Sequence, residues 1–173
     1  EGNDLPEHME RDSGLGWKAR RRLAEIGGTD RAYLDAALAA EPTGAATVHH
    51  ARAVASLPTV EAKDFAWARA TGAISVSNYE IEAAGIGLWR PDQHQITEPY
   101  AAAYFDRFGD LITAHQGWVQ AVVVEAFFPI THLEETTVLR TQALLDGDLP
   151  GAVRRRLTDR LDELTRRRAV LAR

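Results

Sequence analysis

Apolar residues recur every three or four positions along most of the chain, and this spacing constrains the fold more than any other feature of the sequence. A clear example near the carboxyl terminus comprises Val153, Leu157, Leu161 and Leu164. Such spacing places apolar side chains on one face of an α-helix, whereas no segment shows the sustained alternation of β-branched and polar residues that is typical of a strand. The sequence therefore predicts an all-α fold.

Capping residues, glycines and prolines divide the pattern into about nine helices joined by turns of about two to six residues. Because such short turns cannot reach far, consecutive helices should pack as antiparallel neighbours. We predict an irregular α-solenoid of about nine antiparallel helices, built from HEAT-like helical hairpins. We interpret residues 1–12 as a polar N-terminal segment or linker, and residues 13–173 as a single all-helical domain.

The first helix is predicted from an apolar stripe that ends at two glycines. The stripe comprises Leu15, Ala19, Leu23 and Ile26. Gly27 and Gly28 follow, and a residue without a Cβ adopts the left-handed conformation that ends many helices. We expect the helix to stop there and its stripe to pack on the rest of the fold.

Two capping boxes mark later helix starts. In each, a hydroxyl residue precedes a glutamate by three positions, so that the hydroxyl accepts an amide hydrogen while the carboxylate reaches back to the cap. The pairs are Ser77 with Glu80 and Thr131 with Glu134.

The most apolar segment runs from Gly109 to Pro129 and is predicted to form one central, most buried helix. Its main stripe comprises Leu111, His115, Trp118, Val122 and Ala126. Tryptophans beside apolar stripes are typically core anchors. We therefore expect Trp67→Ala or Trp118→Ala to lower the free energy of unfolding by roughly 3–5 kcal/mol.

The composition excludes several classes of function. The 173 residues contain no cysteine, so there is no disulfide, no thiolate nucleophile and no sulfur-ligated metal. The net charge of −5 does not favour nucleic acid, and the longest apolar run is too short for a membrane span. We expect a cytoplasmic protein. The chain begins with Glu1 rather than Met and has no leader, which indicates a piece of a longer protein.

None of the six histidines lies in the His-Glu-x-x-His pattern of a helical zinc hydrolase. His49 and His50 are adjacent and cannot both face one ion from a helix. His94 and Glu98 have suitable spacing, but no third ligand is evident. His132 and its neighbouring glutamates are explained by the predicted capping box. We assign no metal ligand, and we expect replacement of His49 or His132 to leave metal content unchanged.

Other catalytic and binding patterns are also missing. There is no Gly-x-Ser-x-Gly elbow, and Gly85 and Gly87 lie within a helix, where they are more typical of close helix packing than of a phosphate loop. The basic clusters at residues 18–22, 154–156 and 166–168 are interpreted as solvated helix faces. We assign no catalytic and no cofactor-binding residue.

Three stretches together resemble the C-terminal domain of actinobacterial aminopeptidase N-like zinc metallopeptidases, the gluzincin aminopeptidases. Residues 12–27 are similar to its D-x-x-L-R-W…R-L-A-x-x-G opening, with Gly16 in place of the arginine. Residues 57–67 resemble R-P-T-x-E-A-K-x-x-x-W. Residues 87–105 resemble G-F-x-x-P-x-Q…x-P-Y…Y-F, and Pro129 after two aromatic residues resembles the end of the following helix.

This resemblance implies a helical cap that closes over a catalytic domain of the same parent chain and meets peptide substrates only indirectly. In that family, zinc is held by His-Glu-x-x-His with a later glutamate, and the substrate amine by a Gly-x-Met-Glu-Asn loop. Neither motif is present here, and residues 8–11 lack the glycine and asparagine of the loop. We therefore expect an inactive fragment of a zinc aminopeptidase, with zinc only in the parent's catalytic domain.

Two alternatives remain open. A freestanding helical-repeat adaptor would bind a protein or peptide partner in its groove. A weaker alternative is a nucleic-acid binder that uses the arginine-rich last helix.

Overall fold

The computed structural model describes residues 13–171, and all regular secondary structure in that range is helical. The helices are α1 (Ser13–Glu25), α2 (Arg31–Ala40), α3 (Gly44–Ala55), α4 (Val60–Ala70), α5 (Asn78–Leu88), a 3₁₀ turn (Pro91–Gln93), α6 (His94–Asp106), α7 (Phe108–Thr113), α8 (Val119–Ala126), α9 (Glu135–Asp146) and α10 (Gly151–Leu171). The predicted all-α fold is confirmed. The predicted linker at residues 1–12 lies outside the described residues.

The helices pack as two rows. In the first row, α1 contacts α3, α3 contacts α5, α5 contacts α8 and α8 contacts α10. The second row contains α2, α4, α6 and α9, and α7 connects α6 to α8. Each second-row helix packs beside a sequence neighbour, as short connections require. Within residues 13–171, no helix is both long and apolar enough to cross a membrane.

The apolar segment from Gly109 to Pro129 forms two helices, so the prediction of one continuous helix was wrong. The chain breaks between α7 and α8 at Gly117, which has a φ of 57°. The Gln120 side-chain amide donates hydrogen bonds to the carbonyls of Ile112 and His115, at 3.0 and 3.1 Å. In a continuous helix, backbone amides would have donated to these two carbonyls, so Gln120 replaces the bonds that the break removes. This break accounts for the ten α-helices found within residues 13–171, where about nine were predicted.

The first helix buries a different face from the one predicted. Gly27 does end it in the left-handed conformation, with a φ of 69°. However, Leu15, Leu23 and Ile26 are 59%, 40% and 61% exposed, whereas Trp17 is buried. The Trp17 ring packs on the histidine rings at positions 49 and 50 of α3, so the orientation of α1 follows its neighbour and not its own apolar stripe.

One predicted capping box is present and the other is absent. Ser77 accepts a hydrogen bond from the Glu80 backbone, and the Glu80 carboxylate accepts one from the Ser77 backbone. By contrast, α9 begins at Glu135 after Glu134, and no side chain caps it. Thr131 Oγ1 is buried without a hydrogen-bond partner among the described residues. The Glu134 carboxylate turns instead toward α6.

Pro99 is the sixth residue of α6, a position at which a proline removes one backbone hydrogen bond of the helix. Both Pro99 and Gln95, whose carbonyl would have accepted the missing amide hydrogen, are exposed. Water can therefore satisfy that carbonyl, and the helix tolerates the proline.

Two glycines allow α5 to lie against its first-row neighbours. A Cβ at Gly85 would lie 2.7 Å from the Ala126 Cβ on α8. A Cβ at Gly87 would overlap the Arg52 carbonyl oxygen and lie 2.8 Å from the Ala55 Cβ on α3. The expectation that these glycines serve close helix packing is confirmed.

The core consists of a larger apolar cluster formed mainly by α4–α10 and a smaller one around Trp17 on α1–α4. Tyr104, which is 0% exposed, lies in the larger cluster and donates a 2.9 Å hydrogen bond to the Val124 carbonyl. Trp67 is partly buried against the larger cluster. Trp118 was predicted to be a core anchor, but it is 61% exposed at the surface, where it precedes α8 directly after the break.

Candidate functional site

Two histidines and a glutamate from distant parts of the chain meet beside the start of α6. His94 is the first residue of α6, whereas His132 and Glu134 lie in the segment between α8 and α9. His94 Nε2 is 2.7 Å from Glu134 Oε1, and the two imidazole ring centroids are 4.2 Å apart. One potential ligand atom from each of the three residues lies within 4.8 Å of the others. These residues are called the His–Glu cluster below.

The inner member of the cluster is His132, which is 3% exposed. Its ring packs edge-on to Trp89 at 5.5 Å, and its Nε2 lies 3.0 Å from the hydroxyl of Thr97. Burial, and then the neighbouring His94, lower the pKa of His132 below its ordinary value. The ring is therefore held in its neutral form at physiological pH.

The outer members, His94 and Glu134, have side chains that are 41% and 48% exposed. Partial burial raises the pKa of the Glu134 carboxyl, but hydrogen bonds from its own backbone and from His94 outweigh this effect and hold the pKa below its ordinary value. The carboxylate is therefore ionised near neutral pH.

The cluster opens into a cleft of about 190 Å³ between α6 and α9. Glu98 and Arg140 also line this cleft. Arg140 pairs with Asp106 and lies 4.8 Å from the centre of the Phe105 ring. Since Asp106 balances the one arginine, Glu98 and ionised Glu134 leave the cleft with an excess of negative charge.

The structure pairs the candidate residues differently from the sequence analysis. Glu98 was the partner considered for His94, yet the hydrogen bond of His94 is to Glu134, 40 residues away. His50 bonds Asp35 at 2.6 Å on the other side of the fold. No local spacing joins His94 to Glu134, so their contact was not detectable from sequence alone.

A second candidate surface is a groove of about 670 Å³ lined by α5, α8, α10 and Trp118, which precedes α8. The exposed indole of Trp118 lines this groove together with the charged residues Glu82, Glu125, Arg155 and Arg156. Arg156 pairs with Glu125 at 3.1 Å. Apart from Trp118, the lining residues belong to first-row helices. The groove combines an aromatic surface with charges of both signs.

The basic clusters contribute partly to structure. Arg154 donates to the carbonyls of Leu145 and Gly147 at the end of α9. Arg167 pairs with Glu163 at 2.5 Å. Such pairing accounts for part of the arginine-rich last helix without a nucleic-acid partner.

Lys63 and Gln93, which lie in two of the three stretches that carry the family resemblance, meet in the interior. Lys63 Nζ donates to Gln93 Oε1 at 2.6 Å and to the Ala55 carbonyl at 2.7 Å. Gln93 Nε2 in turn donates to the carbonyls of Glu25 and Ser56, at 3.1 and 2.9 Å. Burial lowers the pKa of Lys63 to about 7. These bonds join the ends of α1 and α3 to α4 and the 3₁₀ turn.

Comparison with known proteins identifies a distant relative. No family model matches the chain. Over 157 residues it is 27% identical to aminopeptidase N of Streptomyces lividans. The matched region covers 91% of this chain but only 18% of that protein. The chain is therefore a partial, distant relative of an aminopeptidase, and it spans less than a fifth of that relative's length.

Proposed function

We propose that this chain is the C-terminal helical cap domain of a zinc-dependent aminopeptidase, and that it encloses the chamber in which peptides lose their N-terminal residues. The observation that carries this proposal is the match itself, which extends over 91% of this chain and 18% of an aminopeptidase N. A domain of a much larger enzyme would match over most of its own length but over only a small part of the enzyme, as observed here. The catalytic domain of the same polypeptide would then be the principal partner.

The sequence and the fold support a non-catalytic role for this part. The chain contains no His-Glu-x-x-His segment, which is the motif that supplies two zinc ligands and the general base in such enzymes. The described residues form stacked helices, an architecture that typically provides extended surfaces. In this proposal, the catalytic zinc belongs to the parent's catalytic domain.

The first-row groove is the surface that we assign to the chamber wall. Aromatic and charged side chains together suit a peptide, because the indole packs on apolar side chains while the charges meet termini and polar groups. Trp118 and Arg155 are both exposed and line the groove. They would contact long peptides but not a small substrate held at the metal.

The test uses the longer enzyme that carries this chain. Trp118→Ala and Arg155→Glu should change KM for peptides of about ten residues several-fold and leave kcat/KM for an aminoacyl-anilide unchanged, because only binding remote from the reaction is altered. Leu139→Ala is the matched control, since Leu139 is 56% exposed on second-row helix α9. Unchanged KM for long peptides in both groove variants would contradict the chamber-wall assignment.

The non-catalytic role has a separate test. The isolated chain, supplied with zinc and an aminoacyl-anilide, should show no turnover above background. Turnover would overturn the proposal that the catalytic centre lies elsewhere.

The same groove also supports the second candidate, a freestanding helical-repeat adaptor that binds a protein or peptide. The reading frame upstream of Glu1 distinguishes the two functions. A His-Glu-x-x-His segment is required there for the aminopeptidase cap and is not expected for the adaptor.

A further inference from the structure

We infer that the His–Glu cluster is a binding site for a borderline divalent cation such as Zn²⁺, with His94, His132 and Glu134 as its ligands. The observation behind this inference is the meeting of two imidazoles and a carboxylate whose ligand atoms lie within 4.8 Å of one another. For His132, the inference reverses the expectation drawn from the sequence. It does not depend on the proposed function.

The hydroxyl of Thr97 determines which nitrogen of His132 carries the hydrogen. Thr97 Oγ1 lies 3.0 Å from the Gln93 carbonyl and 3.1 Å from the His94 carbonyl, so its only hydrogen is donated to the backbone. It must then accept from His132 Nε2, at 3.0 Å. The remaining nitrogen, Nδ1, therefore carries the lone pair that a metal ion needs. Metal-binding histidines are commonly oriented in this way, because the ring nitrogen that does not bind the metal donates its hydrogen to a nearby acceptor.

The carboxylate is available because it does not cap a helix. The sequence predicted that Glu134 would be occupied by the Thr131 capping box, but no side-chain bond caps α9. Instead, Glu134 Oε1 lies 2.7 Å from His94 Nε2. His94 Nε2 and Glu134 Oε1 can both bind a metal ion in place of the hydrogen that they share.

The geometry requires only a small adjustment. Zinc bonds of about 2.0–2.2 Å place tetrahedral ligand atoms about 3.3 Å apart. His94 and Glu134 are partly exposed and can rotate to meet this spacing, whereas His132 is held by Thr97 and Trp89. One inner ligand is thus fixed in place and two outer ligands can close on the ion.

The chemistry of the ligands selects the class of cation. Imidazole suits Zn²⁺, Co²⁺ and Ni²⁺, whereas Ca²⁺ and Mg²⁺ prefer shells made only of oxygen. The excess negative charge of the cleft, from Glu98 and Glu134, favours a cation, and Arg140 is already paired with Asp106. A bound ion would join the start of α6 to the segment before α9 and stabilise that junction.

The test is titration of the tag-free, chelator-treated chain with Zn²⁺ in a calorimeter and with Co²⁺ by visible absorption. We expect one equivalent to bind, with the d–d bands of a nitrogen- and oxygen-ligated cobalt ion, and the melting temperature to rise with Zn²⁺. His94→Ala and Glu134→Gln should each weaken binding at least about tenfold, and Thr97→Val should weaken it about tenfold by releasing His132.

The matched control is His49→Ala, which removes a histidine outside the cluster and should leave the affinity unchanged. Circular dichroism verifies that each variant is folded, and the partial exposure of His94 and Glu134 makes their replacement compatible with folding. Less than one equivalent of Zn²⁺ bound by the wild-type chain, or equal affinity in the wild-type, His94→Ala and Glu134→Gln proteins, would overturn the site.

Discussion

The Lys63 side-chain nitrogen lies 2.6 Å from the side-chain oxygen of Gln93, and the two residues are 0% and 5% exposed. Lys63 donates a hydrogen bond to the carbonyl of Ala55, the final residue of α3, and Gln93 donates one to the carbonyl of Glu25, the final residue of α1. Carbonyls at helix ends have no partner within their own helix. A lysine and a glutamine from separate stretches thus complete the junction between α1, α3 and α4.

Replacement of Gln93 should destabilise the fold. Gln93→Ala leaves the carbonyls of Glu25 and Ser56 without their side-chain donor and removes one acceptor from Lys63. Each buried group left unsatisfied costs about 1–3 kcal/mol, so we expect a loss of about 3 kcal/mol in urea denaturation. Gln95→Ala, at an exposed position of α6, is the control and should change stability by less than about 0.5 kcal/mol. Equal effects of the two substitutions would contradict the role of the network.

Stability should rise with pH because of Lys63. Its pKa is about 7 in the folded chain and 10.5 ordinarily, so between these values the unfolded chain binds a proton that the folded chain does not. Unfolding free energy should therefore increase by about 2 kcal/mol from about pH 7.5 to about pH 9. Lys63→Met should remove this increase, as measured by urea denaturation across the range. Parallel pH profiles for the two proteins would refute the assignment.

Helix α5 should not tolerate a methyl group at Gly87. Alanine is favoured over glycine in a helix by about 1 kcal/mol, but here its Cβ would overlap the Arg52 carbonyl, and such overpacking costs about 1–3 kcal/mol. We expect a net loss of stability in thermal denaturation of Gly87→Ala. Gly109→Ala in α7 has open space around its Cβ and should be neutral or stabilising. Stabilisation by both substitutions would show that α5 and α3 do not pack this closely.

Replacement of the partly buried Trp67 and of the exposed Trp118 should have different effects on the free energy of unfolding. Trp67 packs on Tyr100 and Phe127, with ring centres 5.9 and 6.2 Å apart, so the prediction of a roughly 3–5 kcal/mol loss for Trp67→Ala stands. Trp118 is exposed, and Trp118→Ala should change stability by less than about 1 kcal/mol. Chemical denaturation of both variants tests this. A larger loss for Trp118→Ala than for Trp67→Ala would place Trp118 in the core after all.

Helix positions were largely predictable because their signals are local. The capping box at Ser77 and the left-handed stop at Gly27 each depend on a few adjacent residues. The apolar segment after Gly109 was misjudged because its composition suits a helix throughout. Its break at Gly117 is supported by bonds from Gln120, which only the folded chain shows.

Local spacing and capping chemistry were sufficient to establish that this chain is helical, because an α-helix is formed by contacts between residues three and four positions apart. They were not sufficient to show which face each helix buries. Trp17 is buried and Ile26 exposed because α3 packs on the former. Nor did they bring His94 to Glu134, since residues 40 positions apart meet only when the helix rows have packed. Tertiary packing, which depends on the shapes of neighbouring helices, therefore decided the candidate site.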